Sequence, residues 1–324
     1  MDPAPPAVAA ADPAPPDAAA AAAPNVSGVV NTAGRNVSGV VNTAGRNVRL
    51  RVSRYGIPEN EPEPHDISAL DLAHRLVNTD IESPTIQCIG SRRSGKSYYI
   101  RWLLYYMTAL GKEYDLVLLF SGTISTGQWP MIPSKFQFEG WNNESAAVLD
   151  QVIARQKQTL KHNQEATSEA EKKPLAEVLC IFDDVLGGDG NLWVGKKADT
   201  LQSLFWLGRH LRIGCILCVQ DLKALSKVRK NSDCLIIYRS PSHTQRKDIR
   251  DAHCTCKGCS PDDVRCSDRF MEKCWSGGKH SAMCIDLAGS HGRSELQSYV
   301  YSTTAPPDDT PDFGMGSDEH WQLE

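Results

Sequence analysis

Residues 90–97 have the sequence GSRRSGKS, with two glycines, a lysine and a serine spaced as G-x-x-x-x-G-K-[ST]. The apolar run TIQCI precedes this segment and the helix-forming run YYIRWLLYYMTAL follows it, so it joins a buried strand to a helix. Glycines at these positions let backbone N–H groups turn towards phosphate oxygens. The segment therefore predicts a phosphate-binding loop, and the alternative is an ordinary strand-to-helix turn that contains glycine.

The loop implies ATP and Mg²⁺ as cofactors. In loops of this pattern the lysine reaches the β- and γ-phosphates and the following serine places its hydroxyl on Mg²⁺, which are the roles we predict for Lys96 and Ser97. The predicted nucleotide-binding residues are Gly90, Ser91, Arg92, Arg93, Ser94, Gly95, Lys96 and Ser97.

Polar side chains end two later apolar runs. The run VLCIFDD ends in Asp183 and Asp184, and ILCVQ ends in Gln220. We expect Asp183 to lie at the end of a neighbouring strand and to bind Mg²⁺ together with Ser97. Asp184 would orient or deprotonate the attacking water, and Gln220 would contact the γ-phosphate or that water. The alternatives are polar caps at strand ends and a turn residue.

From about residue 85, apolar runs alternate with segments of helical period, which is typical of a parallel sheet with crossover helices. The predicted fold is α/β, a P-loop NTPase with a mostly parallel central sheet flanked by helices. The predicted strands are residues 85–89, 116–120, 178–182, 213–219 and 234–238, with edge strands at 282–287 and 296–301. The predicted helices are residues 97–110, 143–166, 197–211 and 222–229.

The two ends of the chain differ from this pattern. Residues 1–48 form an Ala/Pro-rich leader with a duplicated segment, NVSGVVNTAGR, and we predict a disordered, flexible linker, or alternatively a tether for the capsid or a partner. Residues 49–79 are predicted to be an extended lead-in, 80–304 the ATPase domain, and 305–324 an acidic tail. That tail holds six acids and no Lys or Arg, so with a formal net charge of -4 for the chain, residues 1–304 sum to +2 and can carry a local basic surface.

Cysteine spacing gives only a weak metal signal. Cys256 and Cys259 form one C-x2-C pair, but no second C-x2-C pair follows it in the sequence. Reduced thiols are therefore favoured, and a structural zinc site is the alternative. No run is long and apolar enough for a bilayer span, so no membrane partner is predicted and an intracellular protein is expected.

Four stretches resemble the FtsK-HerA superfamily, and within it the genome-packaging ATPases of nucleocytoplasmic large DNA viruses, virophages and Polinton-type elements. They are GSRRSGKSYYIRWLLYY, FSGTISTGQWPMIPSKFQFEGWN, LCIFDDVLGG and GRHLRIGCILCVQDLKALSKVRKNSDCLIIYR, which together span about residues 85–239.

The resemblance implies an ATPase that drives double-stranded DNA into a capsid from a ring oligomer, with capsid or portal-vertex proteins as partners. It implies an infected host cell as the location, in cytoplasm or nucleus, with virion association left open. It also implies an arginine that reaches a neighbour's γ-phosphate, for which Arg209 is the first candidate and Arg239 the second. The superfamily often has Glu where this chain has Asp184. The predicted catalytic residues are Lys96, Asp183, Asp184, Gln220 and Arg209.

Two other functions remain open. A viral replicative helicase also pairs a P-loop with an acidic strand, but it would normally show a polar Asn sensor where this chain has Gln220. A nucleotide-dependent scaffold would bind ATP without hydrolysing it, and the presence of Lys96, Asp183 and Asp184 disfavours that reading.

Overall fold

The structure is a computed structural model, and it falls into two compact units, residues 1–59 and residues 60–324. It describes residues 38–43, 46–51, 63–78, 83–185, 196–220, 231–240, 242–254, 265–278, 280–288 and 296–317.

In the first unit, the second copy of the repeat takes part in a β-hairpin. Strand β1 (Ser38–Thr43) pairs antiparallel with β2 (Arg46–Arg51), and Val41 lies opposite Val48. The structure differs here from the predicted disordered leader, because β-branched valines favour extended backbone and can pair across strands. The other residues of the 1–48 leader lie outside the described part of the chain.

The second unit is built on a sheet of nine strands among the described residues. They are β3 (His65–Asp66), β4 (Thr85–Ile89), β5 (Leu116–Ser121), β6 (Gln137–Glu139), β7 (Val178–Asp183), β8 (Ile213–Val219), β9 (Cys234–Tyr238), β10 (Ser281–Asp286) and β11 (Val300–Thr304). Their order is β3-β11-β10-β9-β4-β8-β7-β5-β6, and all neighbours are parallel except that β10 runs antiparallel to β9 and β11. The mostly parallel sheet that the sequence predicts is confirmed.

Helices flank this sheet, as predicted. They are α1 (Ala69–Asn78), α2 (Lys96–Ala109), α3 (Asn143–Glu165), α4 (Lys196–Leu207), α5 (His243–His253) and α6 (Arg265–Cys274), with a short 3-10 helix at Gly208–Leu211. Each of β5, β7, β8 and β9 is buried along its whole length, as expected for parallel strands covered on both faces. The predicted helix at 222–229 lies outside the described residues. No described helix combines the length and apolar character that a membrane crossing needs.

Three sequence predictions about the ends of the domain are wrong. Residues 49–79 are not extended throughout, because α1 forms with Leu72, Ala73 and Leu76 on one buried face. Strands β10 and β11 are not at the sheet edge, because β3 pairs beyond β11. The predicted strand at 296–301 begins only at Val300, since residues 296–298 form a 3-10 helix.

A fourth correction concerns residues 305–317, called here the C-terminal segment, which packs on the domain instead of forming a separate acidic tail. The indole N–H of Trp102 on α2 donates to the Asp308 carbonyl at 2.9 Å. The Phe313 ring meets the Tyr105 ring edge-on with centroids 5.6 Å apart. Met315 is buried, and its backbone N–H donates to the Met131 carbonyl at 2.9 Å. Apolar residues between the acids therefore anchor this segment.

Candidate active site

The predicted site residues follow three parallel strands at the same edge of the sheet. The loop at 90–97 follows β4, Gln220 follows β8, and Asp183 ends β7. The sequence predicted that the Asp183 strand is the neighbour of the loop strand, and this is wrong, because β8 lies between β4 and β7. Gln220 is therefore carried by the strand that separates the phosphate loop from the acids. The carboxyl edge of a parallel sheet is where ligands bind in such folds.

The loop at 90–97 curls tightly after β4. The Gly90 N–H donates to the Val219 carbonyl at 3.0 Å, which fixes the start of the loop to β8. Gly95 has φ 104°, a left-handed conformation that favours glycine. A Cβ at Gly95 would also lie 3.0 Å from Nδ1 of His280, and the Tyr238 hydroxyl donates to the Gly95 carbonyl at 3.2 Å. The backbone conformation therefore favours glycine at position 95, and the His280 ring leaves little space for a side chain there.

Lys96 begins α2 and points its ammonium back into the loop. Its side chain is buried, and Nζ donates to the carbonyls of Gly90 at 2.7 Å and of Ser91 at 3.1 Å. Both acceptors are neutral carbonyls of the loop itself. A phosphate oxygen would be a stronger acceptor for this ammonium, because it carries negative charge whereas the carbonyl oxygens are neutral.

Ser97 and Asp183 are in direct contact. The Ser97 hydroxyl lies 2.9 Å from each carboxylate oxygen of Asp183, and the Trp129 indole N–H donates to Oδ2 of the same carboxylate at 3.2 Å. Burial raises the pKa of Asp183, and the hydrogen bonds from Ser97 and Trp129 and the charge of Lys96 only partly oppose it. A hydroxyl and a carboxylate are oxygen ligands of the kind that Mg²⁺ prefers. The groups at this point therefore fit the predicted metal.

Asp184 has an unusual backbone and a defined partner. Its φ is 50°, and its Oδ1 accepts a hydrogen bond from Nε2 of Gln220 at 2.5 Å. Asp and Asn enter the left-handed region more easily than other residues with a Cβ. This conformation gives a physical reason for Asp at a position where the superfamily often has Glu.

A cavity of about 500 Å³ brings the predicted groups together. Lys96, Ser97, Asp183 and Asp184 all line it, whereas Gln220 is not among the lining residues and contacts one of them, Asp184. The full lining is Arg92, Arg93, Gly95, Lys96, Ser97, Tyr98, Thr123, Gln128, Asp183 and Asp184. The catalytic roles of these residues remain predictions.

Thr123 and Gln128 line the cavity and Trp129 touches Asp183, although no sequence motif marks these three residues. They lie in the loop at residues 122–133 between β5 and β6. The one available signal was position, since this loop follows a buried strand at the same edge as the phosphate loop.

Arg209, the arginine predicted to reach the γ-phosphate of a neighbouring subunit, does not line this cavity. It is exposed in the 3-10 helix that precedes β8, at the amino ends of the strands. Its charge acts on Asp233, where burial raises the carboxyl pKa while the Thr85 N–H and Arg209 oppose the rise. Arg239 follows β9 at the carboxyl edge, and its Nη2 lies 2.9 Å from Oε2 of Glu272.

The cysteines that the structure describes are buried thiols. Cys256 and Cys259, the pair considered for zinc, lie outside the described residues. Among the residues with assigned positions, no group of three or more His, Cys, Asp or Glu side chains is placed to hold a metal. Burial raises the pKa of Cys274 to about 12, and Cys254 contacts the Met283 sulfur at 3.8 Å.

The sequence profile of the Poxvirus A32 protein family matches residues 78–253, which is just over half of the chain. The chain belongs to the Poxvirus A32 protein family. The matched region contains the phosphate loop, the two acids, Gln220 and both candidate arginines. Membership in the A32 family confirms the predicted resemblance to viral genome-packaging ATPases, and with it the predicted enzyme class, an ATPase.

Several solved structures show distant similarity to this A32 family member, and no curated protein sequence matches it. The genome packaging NTPase B204 from Sulfolobus turreted icosahedral virus 2, in complex with AMPPCP, has 12% identity and a TM-score of 0.41, over 68% of this chain and 97% of that chain. EssC (ATPases 2 and 3) from Geobacillus thermodenitrificans has 14% identity and a TM-score of 0.47, over 72% of this chain and 41% of that chain. The Type VII secretion ATPase EccC of Thermomonospora curvata has 16% identity and a TM-score of 0.47, over 75% and 30%.

Proposed function

We propose that this protein hydrolyses Mg-ATP to move double-stranded DNA into a preformed viral capsid, and that it works as a ring oligomer. The observation that carries the proposal is the convergence of Lys96, Ser97, Asp183 and Asp184 on one cavity. A nucleotide scaffold would not need two acids and a buried ammonium at the same cavity. Membership in the A32 family supports a packaging role.

In the proposed mechanism each group has one task. The loop amides and Lys96 hold the phosphates, and the ammonium exchanges its bonds to the Gly90 and Ser91 carbonyls for bonds to phosphate oxygens. Ser97 and Asp183 bind the metal, which when bound neutralises charge on the phosphates. Asp184 orients or deprotonates the attacking water.

Gln220 connects the phosphate loop with the two acids. Its amide donates to Asp184 in this structure, and its strand lies between the phosphate loop and the acids. A rotation of the side chain would transfer this amide from Asp184 to the γ-phosphate or the water. Gln220 would then release Asp184 when a triphosphate is bound.

Arg209 would act on a neighbouring subunit. It lies at the amino ends of the strands, whereas the cavity of its own chain lies at their carboxyl ends. A ring would allow one subunit's amino edge to face the cavity of the next. Arg239 is the alternative, although in this structure its guanidinium is paired with Glu272.

Mixing two inactive variants tests the arginine assignment. We expect Arg209→Ala and Lys96→Ala to be nearly inactive alone, whereas their mixture regains hydrolysis because Lys96→Ala subunits supply Arg209 to intact cavities. The readout is ATPase rate against mixing ratio. No gain in ATPase rate at any mixing ratio would contradict an action of Arg209 on the neighbouring subunit. A mixture of Arg239→Ala with Lys96→Ala then tests the alternative.

The proposed function implies a cellular location and a set of partners. We place the protein in the infected cell, where capsids are filled, with duplex DNA and capsid or portal-vertex proteins as partners. We propose that the ATPase domain extends beyond both of its predicted ends, 80 and 304, because β3 belongs to its sheet and the C-terminal segment packs on α2.

Duplex DNA is expected to stimulate ATP hydrolysis by the purified chain. A motor that works on duplex DNA couples its cycle to that polymer, so long linear duplex should raise the ATPase rate more than single-stranded DNA of equal nucleotide content. An ATPase assay with each DNA and with none makes the measurement, and a strand-separation assay runs beside it. An ATPase rate that duplex DNA does not change would contradict the motor. Separation of the DNA strands would indicate a helicase. ATP binding without hydrolysis would indicate a scaffold.

A further inference from the structure

The loop at residues 122–133 brings a tryptophan to the predicted metal-binding carboxylate. Trp129 is 1% exposed, and its indole N–H donates to Oδ2 of Asp183 at 3.2 Å. We propose that Trp129 is a positioning residue that holds the Asp183 carboxylate in the orientation needed to bind the metal. This inference rests on the proposed function and adds a residue that neither the motif nor the family assignment identifies.

The chemistry of the indole suits this task. An indole N–H donates a hydrogen bond but cannot accept one, and it cannot ligate a metal ion. Trp129 can therefore hold a carboxylate without competing with it for the cation. Ser97 approaches both oxygens of Asp183 at 2.9 Å, whereas Trp129 is bonded to Oδ2 only. The indole therefore distinguishes the two oxygens and opposes rotation of the carboxylate about its Cβ–Cγ bond.

The backbone that carries the indole is itself fixed. The side-chain amide of Gln137 on β6 donates to the Trp129 carbonyl at 3.2 Å and to the Ile132 carbonyl at 2.7 Å. The Ile132 N–H donates to the Trp129 carbonyl at 3.3 Å. These bonds tie the turn around Trp129 to the edge strand of the sheet. A second residue, Gln137, therefore supports the contact between the indole and Asp183.

Two further bonds join the same loop to other elements. The Arg101 guanidinium on α2 donates to the Gln128 carbonyl at 3.3 Å, and the Met315 N–H of the C-terminal segment donates to the Met131 carbonyl at 2.9 Å. The residues on both sides of Trp129 are thus held from α2 and from the C-terminal segment. Preorganised support of this kind is what a metal-binding side chain requires from its surroundings.

Trp141 provides a matched control. It is also buried, at 5% exposure, and its ring packs edge-on against Phe182, the residue before Asp183, with centroids 5.0 Å apart. Its indole nitrogen has no hydrogen-bond partner in the described part of the molecule. Trp129→Phe and Trp141→Phe remove the same atoms from buried positions close to β7. Only the first removes a bond to Asp183.

The experiment measures metal binding directly. Mn²⁺ serves as a spectroscopic substitute for Mg²⁺, and its binding is followed by electron paramagnetic resonance with a non-hydrolysable ATP analogue present. We expect Trp129→Phe to weaken Mn²⁺ binding about 10-fold or more, the usual effect of losing a group that orients a metal ligand. Trp141→Phe should stay within about 2-fold of the unmodified protein, and metal-free analogue binding should be unchanged in both variants. In ATPase assays the Mg²⁺ requirement should rise while kcat at saturating Mg²⁺ changes little.

Equal losses of Mn²⁺ affinity in the two variants, or none in Trp129→Phe, would overturn the inference. If Trp129→Phe does not fold, as judged by thermal unfolding, Gln137→Leu replaces it, because that change removes the amide that supports the Trp129 carbonyl. Unchanged Mn²⁺ affinity in Gln137→Leu would then overturn the inference. Failure of the unmodified protein to bind Mn²⁺ with the analogue would instead count against the proposed function.

Discussion

Lys96→Ala is expected to lower kcat/KM for ATP hydrolysis by about 10²–10³-fold, the usual cost of removing one preorganised donor to a charged transition state. The loss follows from geometry, since the ammonium is buried inside the loop and lines the same cavity as the two acids. Steady-state ATPase assays with and without duplex DNA make the measurement, and stimulation by duplex should disappear as well.

Lys161→Ala is the control for this substitution, because Lys161 is an exposed lysine on α3 paired with Glu165. It should hydrolyse ATP at the unmodified rate. Thermal unfolding of Lys96→Ala should show a folded protein, since its lost bonds go to carbonyls of a loop that can relax. Unaltered hydrolysis by folded Lys96→Ala would place the active site elsewhere.

Asp184→Asn is expected to lower kcat by about 10²–10⁴-fold, the range for loss of a general base, while nucleotide affinity changes little. The substitution is conservative in every other respect. Asn keeps an oxygen that can accept the Gln220 hydrogen bond, and it tolerates the left-handed backbone at this position. Single-turnover hydrolysis and binding of a fluorescent ATP analogue separate the two effects.

Asp199→Asn is the matched control, because Asp199 is exposed in the first turn of α4. It should leave both hydrolysis and binding unchanged. If Asp184→Asn hydrolyses ATP normally, another group must activate the water. If it loses nucleotide affinity to the same extent as kcat, Asp184 acts in binding and not as a base.

The local elements of this protein could be predicted from the sequence. The strands at Thr85–Ile89, Ile213–Val219 and Cys234–Tyr238 begin and end where the apolar runs do, because such runs between turn residues are a local signal. The phosphate loop is equally local, since glycines and lysine at fixed spacing determine how the backbone can turn.

Contacts between distant parts of the chain could not be predicted in the same way. The order β4-β8-β7 depends on which strands pair, and periodicity does not encode pairing. Trp129 is 54 residues away from Asp183 in sequence, and a tryptophan in a loop is usually read as a core residue. The composition of residues 305–324 indicated an acidic tail, but Phe313 and Met315 anchor its first part on the domain.

The packing of the C-terminal segment changes how shortened versions of this protein should be designed. A boundary at residue 304 would remove the cover from Trp102 and Tyr105 on α2 and the bond to Met131 beside Trp129. Exposed aromatic rings on a helix favour self-association. Aggregation of such a fragment would therefore result from the missing C-terminal segment and would give no information about the natural oligomer. A fragment that ends after Ser317 keeps the C-terminal segment, whereas a fragment that ends before Ala305 lacks it.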